Sequence, residues 1–379
     1  MSSLYSWGNC NMDILFFSNI PSPYSIAYIN ELGKLANVIA VYEKQSFKHR
    51  DSSWKSFSAP NVKKIVIMKG LPLGRIYKIS FEPIFQIWKH RNSRIIIANP
   101  LTPCGILSIF FCKLLRIPFI IQSEGGLAKN GKGLKEHFKK IVMRGASLYL
   151  SGMNPKHDYF LAYGATTEKI KQYPFSSLYK KDFPNRLLNQ KEKCILRTEL
   201  GIEEKNVVLF VGQFIYRKGV DVLLNALSIT HSEVGLYLIG GKETQEYRDI
   251  IDQFGLKNIH FMEYIELNSL KKYYRAADFF VLPTREDTWG LVINEAMTYG
   301  LPIITTDKCV AGLELIDDGI NGFLVPAENT NALVEKIDLL LDNPNLCNKM
   351  ALNNFEKIKD YSYENMAHVI YNYLNNFNT

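Results

Sequence analysis

Short apolar runs alternate with helix-periodic stretches along nearly the whole chain, and no other feature narrows the fold as much. An apolar run flanked by helical patterns on both sides must be buried on both faces, which a parallel sheet between two helical layers provides. In the first half, runs at 13–17, 38–42, 94–98, 119–122 and 146–151 predict strands. Patterns at 25–35 and 103–115 predict helices, with a shorter one near 155–163. Residues 173–197 then lose the period, carry Pro174 and Pro184, and include a polar run from Asn189 to Lys193. A second series follows, with strands at 207–211, 236–239, 258–261, 279–282 and 303–305. Helical patterns at 219–227, 243–254, 267–276, 291–299, 331–341 and 363–374 accompany them.

The fold class this predicts is α/β: two facing doubly wound, Rossmann-like domains. The expected divisions are an amino-terminal domain over 1–180, a carboxyl-terminal domain over 195–360, and a last helix over 361–379 that packs back on the first domain. Residues 1–11 precede the first strand and Met12 offers a second start, so they read as a dispensable leader. In open α/β sheets ligands bind beyond the carboxyl ends of the strands, at the switch point of the strand order. Two such domains would set two of those edges across one cleft.

Composition removes other classes. A chain of 379 residues that is 47% hydrophobic and 22% charged is neither disordered nor a disulfide scaffold. The six cysteines are scattered, without a Cys-x-x-Cys pair, and read as thiols of a reducing compartment. The start lacks a basic region followed by a long apolar core, so it is a poor signal peptide. The most apolar stretch, 105–121, is broken by Lys113 and Arg116 and falls short of the ~20 residues a membrane helix needs. Charge is uneven: residues 1–150 carry a net +14 and the remainder a net −6. The first half therefore faces something anionic, with nucleic acid, a phospholipid surface and a phosphorylated substrate all open.

Two stretches carry chemistry. In residues 283–297 a strand ends, a polar loop follows, and a helix starts near Gly290, with Thr288 the expected N-cap. The opening N–H groups of such a helix favour an anion, and Gly290 would let a phosphate approach closely. Asp287 in the loop and Glu295 inside the helix would then hold sugar and ribose hydroxyls. The plainer alternative is an ordinary strand–loop–helix with solvated acids. In residues 211–221, Arg217 and Lys218 sit just before another helix, a setting suited to a diphosphate. They could instead be solvent-facing loop charges. Both stretches fall at the same edge of one sheet.

These residues resemble the retaining glycosyltransferases of family 4, which have the GT-B fold. The family's glycine followed by Lys-Gly resembles Gly212 with Lys218 and Gly219; its carboxylate, seven residues, then Glu matches Asp287 to Glu295. Residues 294–297 with 300–304 (NEAM, GLPII) and 318–325 continue the likeness, which spans Val207 to about Leu341. In the first half it is confined to layout and to the loop NIPSPY at 19–24, with Pro21, Ser22 and Tyr24 on the acceptor side. The chain departs from the family pattern in three places. Asp287 stands where Glu is usual, Gln213 where Arg often follows the glycine, and Glu124 where a His is common by alignment from Pro118.

The resemblance implies a nucleotide diphosphate sugar as co-substrate, held mainly by the carboxyl-terminal domain, with a uridine diphosphate sugar the commonest class. Gly212, Arg217, Lys218, Gly290 and Leu291 would hold the diphosphate, Glu295 the ribose and Asp287 the sugar. Glu124 would orient acceptor or sugar. No metal or other cofactor is implied, and the chain has no Asp-x-Asp. The acceptor would be a growing surface polysaccharide (lipopolysaccharide or capsule) or a polyprenyl-linked saccharide, placing the protein in the cytoplasm or on the cytoplasmic face of the inner membrane. Residues 129–144 interleave Lys129, Lys132, Lys135, Lys139, Lys140 and Arg144 with Leu134, Phe138, Ile141 and Val142. Such a basic amphipathic helix suits an anionic leaflet, the alternative being a solvated face. An epimerase of nucleotide sugars on the same fold is the nearest rival. A nucleic-acid-binding protein ranks lower, because no recognised motif accompanies the charge.

Overall fold

The computed structural model describes residues 12–45, 58–73, 77–128 and 133–377, so residues 1–11, Lys129 and Lys132 lie outside the described residues. The chain forms two compact units, Met1–Ser176 together with Ser362–Thr379, and Ser177–Tyr361.

The first unit contains β1 (Asp13–Ser18), α1 (Pro23–Leu32), β2 (Asn37–Tyr42), β3 (Lys64–Ile67), β4 (Leu71–Leu73), β5 (Tyr77–Ile79), α2 (Glu82–Lys89) and β6 (Arg94–Ile97). It continues through α3 (Pro103–Leu114), β7 (Phe119–Ser123), α4 (Leu134–Met143), β8 (Leu148–Ser151) and β9 (Ile170–Gln172). Seven of these strands form one parallel sheet in the order β3-β2-β1-β6-β7-β8-β9, while β4 and β5 pair as a small antiparallel hairpin. Side chains alternate between its two faces as strand geometry requires. Leu15, Phe17, Ile39, Val41, Ile95, Ile97, Ile121 and Tyr149 join one core with Ile87 of α2, Ile109 and Cys112 of α3, and Val142 and Met143 of α4. Helix starts follow local chemistry. Ser22 and Thr102 accept the Ser25 and Gly105 amides, and Pro23 and Pro103 open α1 and α3 where no amide is needed. The expected helix near 155–163 is only a short 3₁₀ turn, Tyr159–Tyr163, stopped by Gly164 in the left-handed region.

In the second unit α5 (Gln190–Leu200) begins inside the aperiodic stretch 173–197, where no helix was expected. The polar run there is a helix start: Asn189 Oδ1 accepts the Glu192 amide, and the Glu192 carboxylate accepts the Asn189 amide. Then come β10 (Val207–Val211), α6 (Val220–Leu227), β11 (Gly235–Ile239), α7 (Gln245–Phe254), β12 (Ile259–Met262), α8 (Leu267–Ala276), β13 (Phe279–Leu282) and α9 (Leu291–Thr298). After these follow β14 (Ile303–Thr306), α10 (Val310–Leu315), β15 (Gly322–Val325), α11 (Thr330–Asp342) and α12 (Pro344–Lys357). The six strands form a parallel sheet in the order β12-β11-β10-β13-β14-β15. That order reverses between β10 and β13, the switch point where open α/β sheets bind ligands. The last helix, α13 (Tyr363–Asn375), belongs to the first unit and packs on α1.

Candidate active site

The loops after β10 and β13 flank the switch point of the second sheet, and they are sewn together. The Arg217 carbonyl accepts the Arg285 amide (2.8 Å) and the Thr284 hydroxyl (2.8 Å), and Arg217 Nη1 donates to the Glu286 carbonyl (2.7 Å). Gly219 makes this approach fit. Its φ is +70°, and a Cβ there would lie 2.1 Å from the Pro283 carbonyl oxygen. Gly219→Ala should therefore strain the backbone and force the loops apart, costing about 1–3 kcal/mol. Thermal unfolding of the variant checks this; an unchanged midpoint would contradict it.

Asp287 sits where these loops meet. Its amide donates to the Lys308 carbonyl (2.9 Å) and its carbonyl accepts the Val310 amide (3.3 Å), which ties it to the loop after β14. Its carboxylate receives Lys218 Nζ on Oδ2 (2.5 Å) and Arg217 Nη1 on Oδ1 (3.1 Å). Lys218 and Asp287 are buried, whereas Arg217 is half-buried. The plain reading of Arg217 and Lys218 as solvent charges is thus not what the structure shows. Two cations converge on one carboxylate, leaving a net positive centre with N–H donors to spare on both. Arg285 is committed elsewhere: it forms a two-pronged pair with Asp221 (2.9 and 2.6 Å), pairs with Glu328 and stacks on Tyr216.

Helix α9 begins beside this centre, though not as the sequence implied. Gly290, with φ +106°, is the N-cap, and Thr288 does not cap the helix. A Cβ on Gly290 would meet Cys309 Sγ at 2.8 Å, so glycine is needed for backbone shape and inward packing rather than to admit a ligand. Leu291 opens the helix, where amides lack intrahelical acceptors. Trp289 is buried below, with Nε1 donating to Asn294 Oδ1 (2.8 Å). Gly212 follows β10, its amide bonded to the Ile239 carbonyl (2.9 Å).

Glu295 lies one turn into α9, partly buried, with Oε2 accepting from Tyr274 Oη (2.9 Å) and Oε1 from Ser177 Oγ (3.3 Å). Tyr274 stacks on Tyr299 (ring centroids 5.7 Å, 10° between planes). Burial raises the Glu295 pKa above the ordinary glutamate value, against the opposing effect of the two hydroxyl donors. The folded state thus keeps a proton over a pH range in which the unfolded chain has released it. Across that range stability falls as pH rises. Glu295→Gln should flatten this fall in thermal unfolding measured from pH 4 to 8; an unaltered profile would contradict it.

Tyr274 and Ser177 were invisible to sequence reasoning, since neither stands at a recognisable spacing from Glu295. The segment 318–325, singled out by resemblance, is a turn leading into β15: Asn321 Oδ1 accepts the Asp317 amide and its Nδ2 donates to the Leu315 carbonyl. The remaining expected residues belong to the first unit. Glu124 is half-buried just past β7, in a loop where Tyr173 Oη donates to the Ser123 carbonyl (2.7 Å). Pro21 and Ser22 are buried, the Ser22 hydroxyl being used as the α1 cap, and Tyr24 meets Phe175 edge-on (5.9 Å). Among the described residues no group of three His, Cys, Asp or Glu could hold a metal ion.

Residues 193–357 match the family model described as glycosyl transferases group 1. An uncharacterized glycosyltransferase of Methanocaldococcus jannaschii is 31% identical over 59% of this chain and 64% of its own length. The lipopolysaccharide glucosyltransferase WaaG of Escherichia coli is 29% identical over 40% of this chain and 41% of its own length. The chain thus spans about half the length of the curated relatives it matches. Among solved structures, HepE of Anabaena, crystallised with UDP, superposes with a TM-score of 0.75 at 18% identity, covering 97% of this chain and 100% of that one. HepE is also known in complex with UDP-glucose. The fold is therefore the two-unit α/β architecture of the GT-B glycosyltransferases.

Proposed function

We propose that this protein is a retaining, metal-independent glycosyltransferase that moves a sugar from a nucleotide diphosphate sugar to a saccharide or lipid-linked saccharide. The observation that carries the reading is the pair Lys218 and Arg217 converging on Asp287 at the switch point of the second sheet, beside the start of α9. The match to glycosyl transferases group 1 covers this region and supports transfer chemistry. The UDP and UDP-glucose complexes of HepE support a nucleotide sugar donor, with uridine as the base.

Each group then has a task. Breaking the bond between the sugar's anomeric carbon and the diphosphate leaves negative charge on the departing oxygen. Lys218, Arg217 and the Leu291 amide are positioned to stabilise it, usually the largest contribution to catalysis. Asp287 holds both cations in place and offers its carboxylate edge to the donor sugar. Glu295, fixed by Tyr274 and Ser177, accepts from the ribose hydroxyls, so donor affinity weakens as acid protonates it. The acceptor hydroxyl attacks from the face the diphosphate leaves, which retains configuration, and Glu124 orients acceptor or sugar. WaaG is a lipopolysaccharide glucosyltransferase, and a relative is encoded in a cps region of Klebsiella pneumoniae, which supports a role in surface polysaccharide synthesis; the proposed place of that synthesis is the cytoplasmic face of the inner membrane.

A donor panel of UDP-, GDP-, ADP- and dTDP-sugars, incubated with lipid-linked and free saccharides in the presence of a chelator, tests this. Transfer with the donor's anomeric configuration kept, read from proton couplings of the product, is the expected result. Inverted product, dependence on divalent metal, or donor conversion without any acceptor would overturn it. The last of these would favour an epimerase.

A further inference from the structure

Helices α2, α3 and α4 share one layer of the first unit. Their inner residues Ile87, Ile109, Cys112, Val142 and Met143 enter a single core, and α3 contacts both neighbours and β5. The connections that carry them all move in the same direction along the sheet, and right-handed crossovers put such helices on the same face. The outer side of a surface helix is normally polar. Here it is not. On α2, Phe85 (58% exposed) and Trp88 (56%) stand outward with Phe81 just before the helix, while the polar Gln86 is buried beneath them. On α3, Phe110 and Leu114 stand outward one turn apart; on α4, Leu134 (91%), Phe138 and Ile141 do so at i, i+4 and i+7. Leu71 and Ile79 of the hairpin are exposed as well.

Basic residues frame these stripes. Lys89, Arg91, Arg116, Lys135, Lys140 and Arg144 lie on or beside the same helices. Arg91 lies 5.4 Å over the Trp88 ring. The acids of the three helices are Glu82 and Glu136, and Glu136 is neutralised by Lys139 (2.7 Å) and bonded by Tyr163 (2.9 Å). No helix among the described residues is long and apolar enough to cross a membrane.

We infer that the outer face of α2, α3 and α4 is a docking surface for an anionic lipid bilayer, with Phe85, Trp88, Phe110 and Leu134 entering the headgroup boundary and the flanking cations binding lipid phosphates. Aromatic rings with cationic flanks are the composition of interfacial helices, and each basic group near an anionic surface adds to binding. The inference deepens the reading that the acceptor is lipid-linked, and moves the main apolar contact from the basic helix α4 to α2 and α3.

The test is flotation of the full-length protein with vesicles of phosphatidylcholine containing phosphatidylglycerol or none, at low and high salt. The wild type should float with anionic vesicles, less so at high salt. The Phe85→Ser, Trp88→Ser, Phe110→Ser variant should bind at least about tenfold more weakly. Trp88 emission should be quenched by brominated lipid, and Trp88→Phe should lose most of that quenching. Transfer to a soluble acceptor should be unchanged in the triple variant, so failure of docking is distinguishable from failure of the transferase reading. A wild type that ignores vesicles, or a triple variant that binds equally, would overturn the inference. So would a wild-type dimer that the triple variant converts to monomer, because the face would then be a self-association surface.

Discussion

Lys218→Ala is expected to lower the transfer rate about 10²–10³-fold, the usual loss when one preorganised donor to developing negative charge is removed. Lys218 is the buried member of the cation pair, 9% exposed, in a 3₁₀ turn that the Gly219 close approach fixes in place. In the proposed mechanism it acts on the departing diphosphate without reorganising. The variant should still fold, because Asp287 keeps Arg217 as a partner and both of its backbone bonds to the loop after β14. Steady-state rates at saturating donor, with circular dichroism as the control, check this. Lys218→Arg should not rescue, since a planar guanidinium does not fit a site built for a compact ammonium. Full activity in Lys218→Ala would remove Lys218 from the mechanism.

The largest effect on stability is expected away from the site, at Asp278. Its carboxylate receives Lys193 Nζ (2.8 Å), Arg197 Nη2 (2.7 Å) and the Val207 amide (2.8 Å), and Arg197 also donates to the Ala276 and Lys205 carbonyls. One acid thus fastens α5 to the amino ends of β10 and β13. Burial opposes both charges: it holds the Lys193 ammonium below its usual pKa. At Asp278 burial pushes the pKa up, and the two cations outweigh it and bring the value below the ordinary one. Asp278→Ala leaves two cations without their anion, and breaking such a pair costs about 3 kcal/mol or more. For a domain of this size that lowers the unfolding midpoint by on the order of 10 °C. Because folding depresses the Asp278 pKa, its contribution is full above the unfolded value and fades as pH falls through the folded one. The difference between wild type and Asp278→Ala should accordingly shrink below about pH 4. A constant difference, or a midpoint shift under about 2 °C, would contradict this account.

Where an apolar run was bounded by turn residues, the sequence reading met the structure residue for residue, as at α8 and β13. It failed where two signals conflicted. In α2 Ile84, Phe85, Ile87 and Trp88 keep a helical spacing, but over only eight residues, and the apolar side runs past the buried Ile87 to the exposed Phe85 and Trp88. The same property makes that helix a docking face. In α5 the opposite happened: a mostly polar surface helix looked aperiodic, although Asn189 and Glu192 spell a capping box and Gly201 follows the end. Of the candidate site residues, Arg217, Lys218 and Asp287 were legible because they follow strand ends, and these three are the ones that meet. The supports of the site were not. Tyr274 and Ser177 reach Glu295 from distant positions, and the role of Gly290 depends on Cys309 packing from the next βα loop. Contacts of that kind exist only once the sheet order is known.

In the proposed function the switch point of the second sheet binds a nucleoside diphosphate through Lys218 and Glu295. Thermal shift with UDP, GDP, ADP and dTDP, and with their sugar conjugates, tests it most directly on wild type, Lys218→Ala and Glu295→Ala. A ligand at a hundred times its dissociation constant adds about 2.7 kcal/mol, an upward shift of about 5–10 °C for a domain of this size. Such a shift is expected with one nucleobase, UDP foremost, in the wild type, and its loss in both variants. No shift with any nucleotide or nucleotide sugar, or equal shifts in all three proteins, would contradict it.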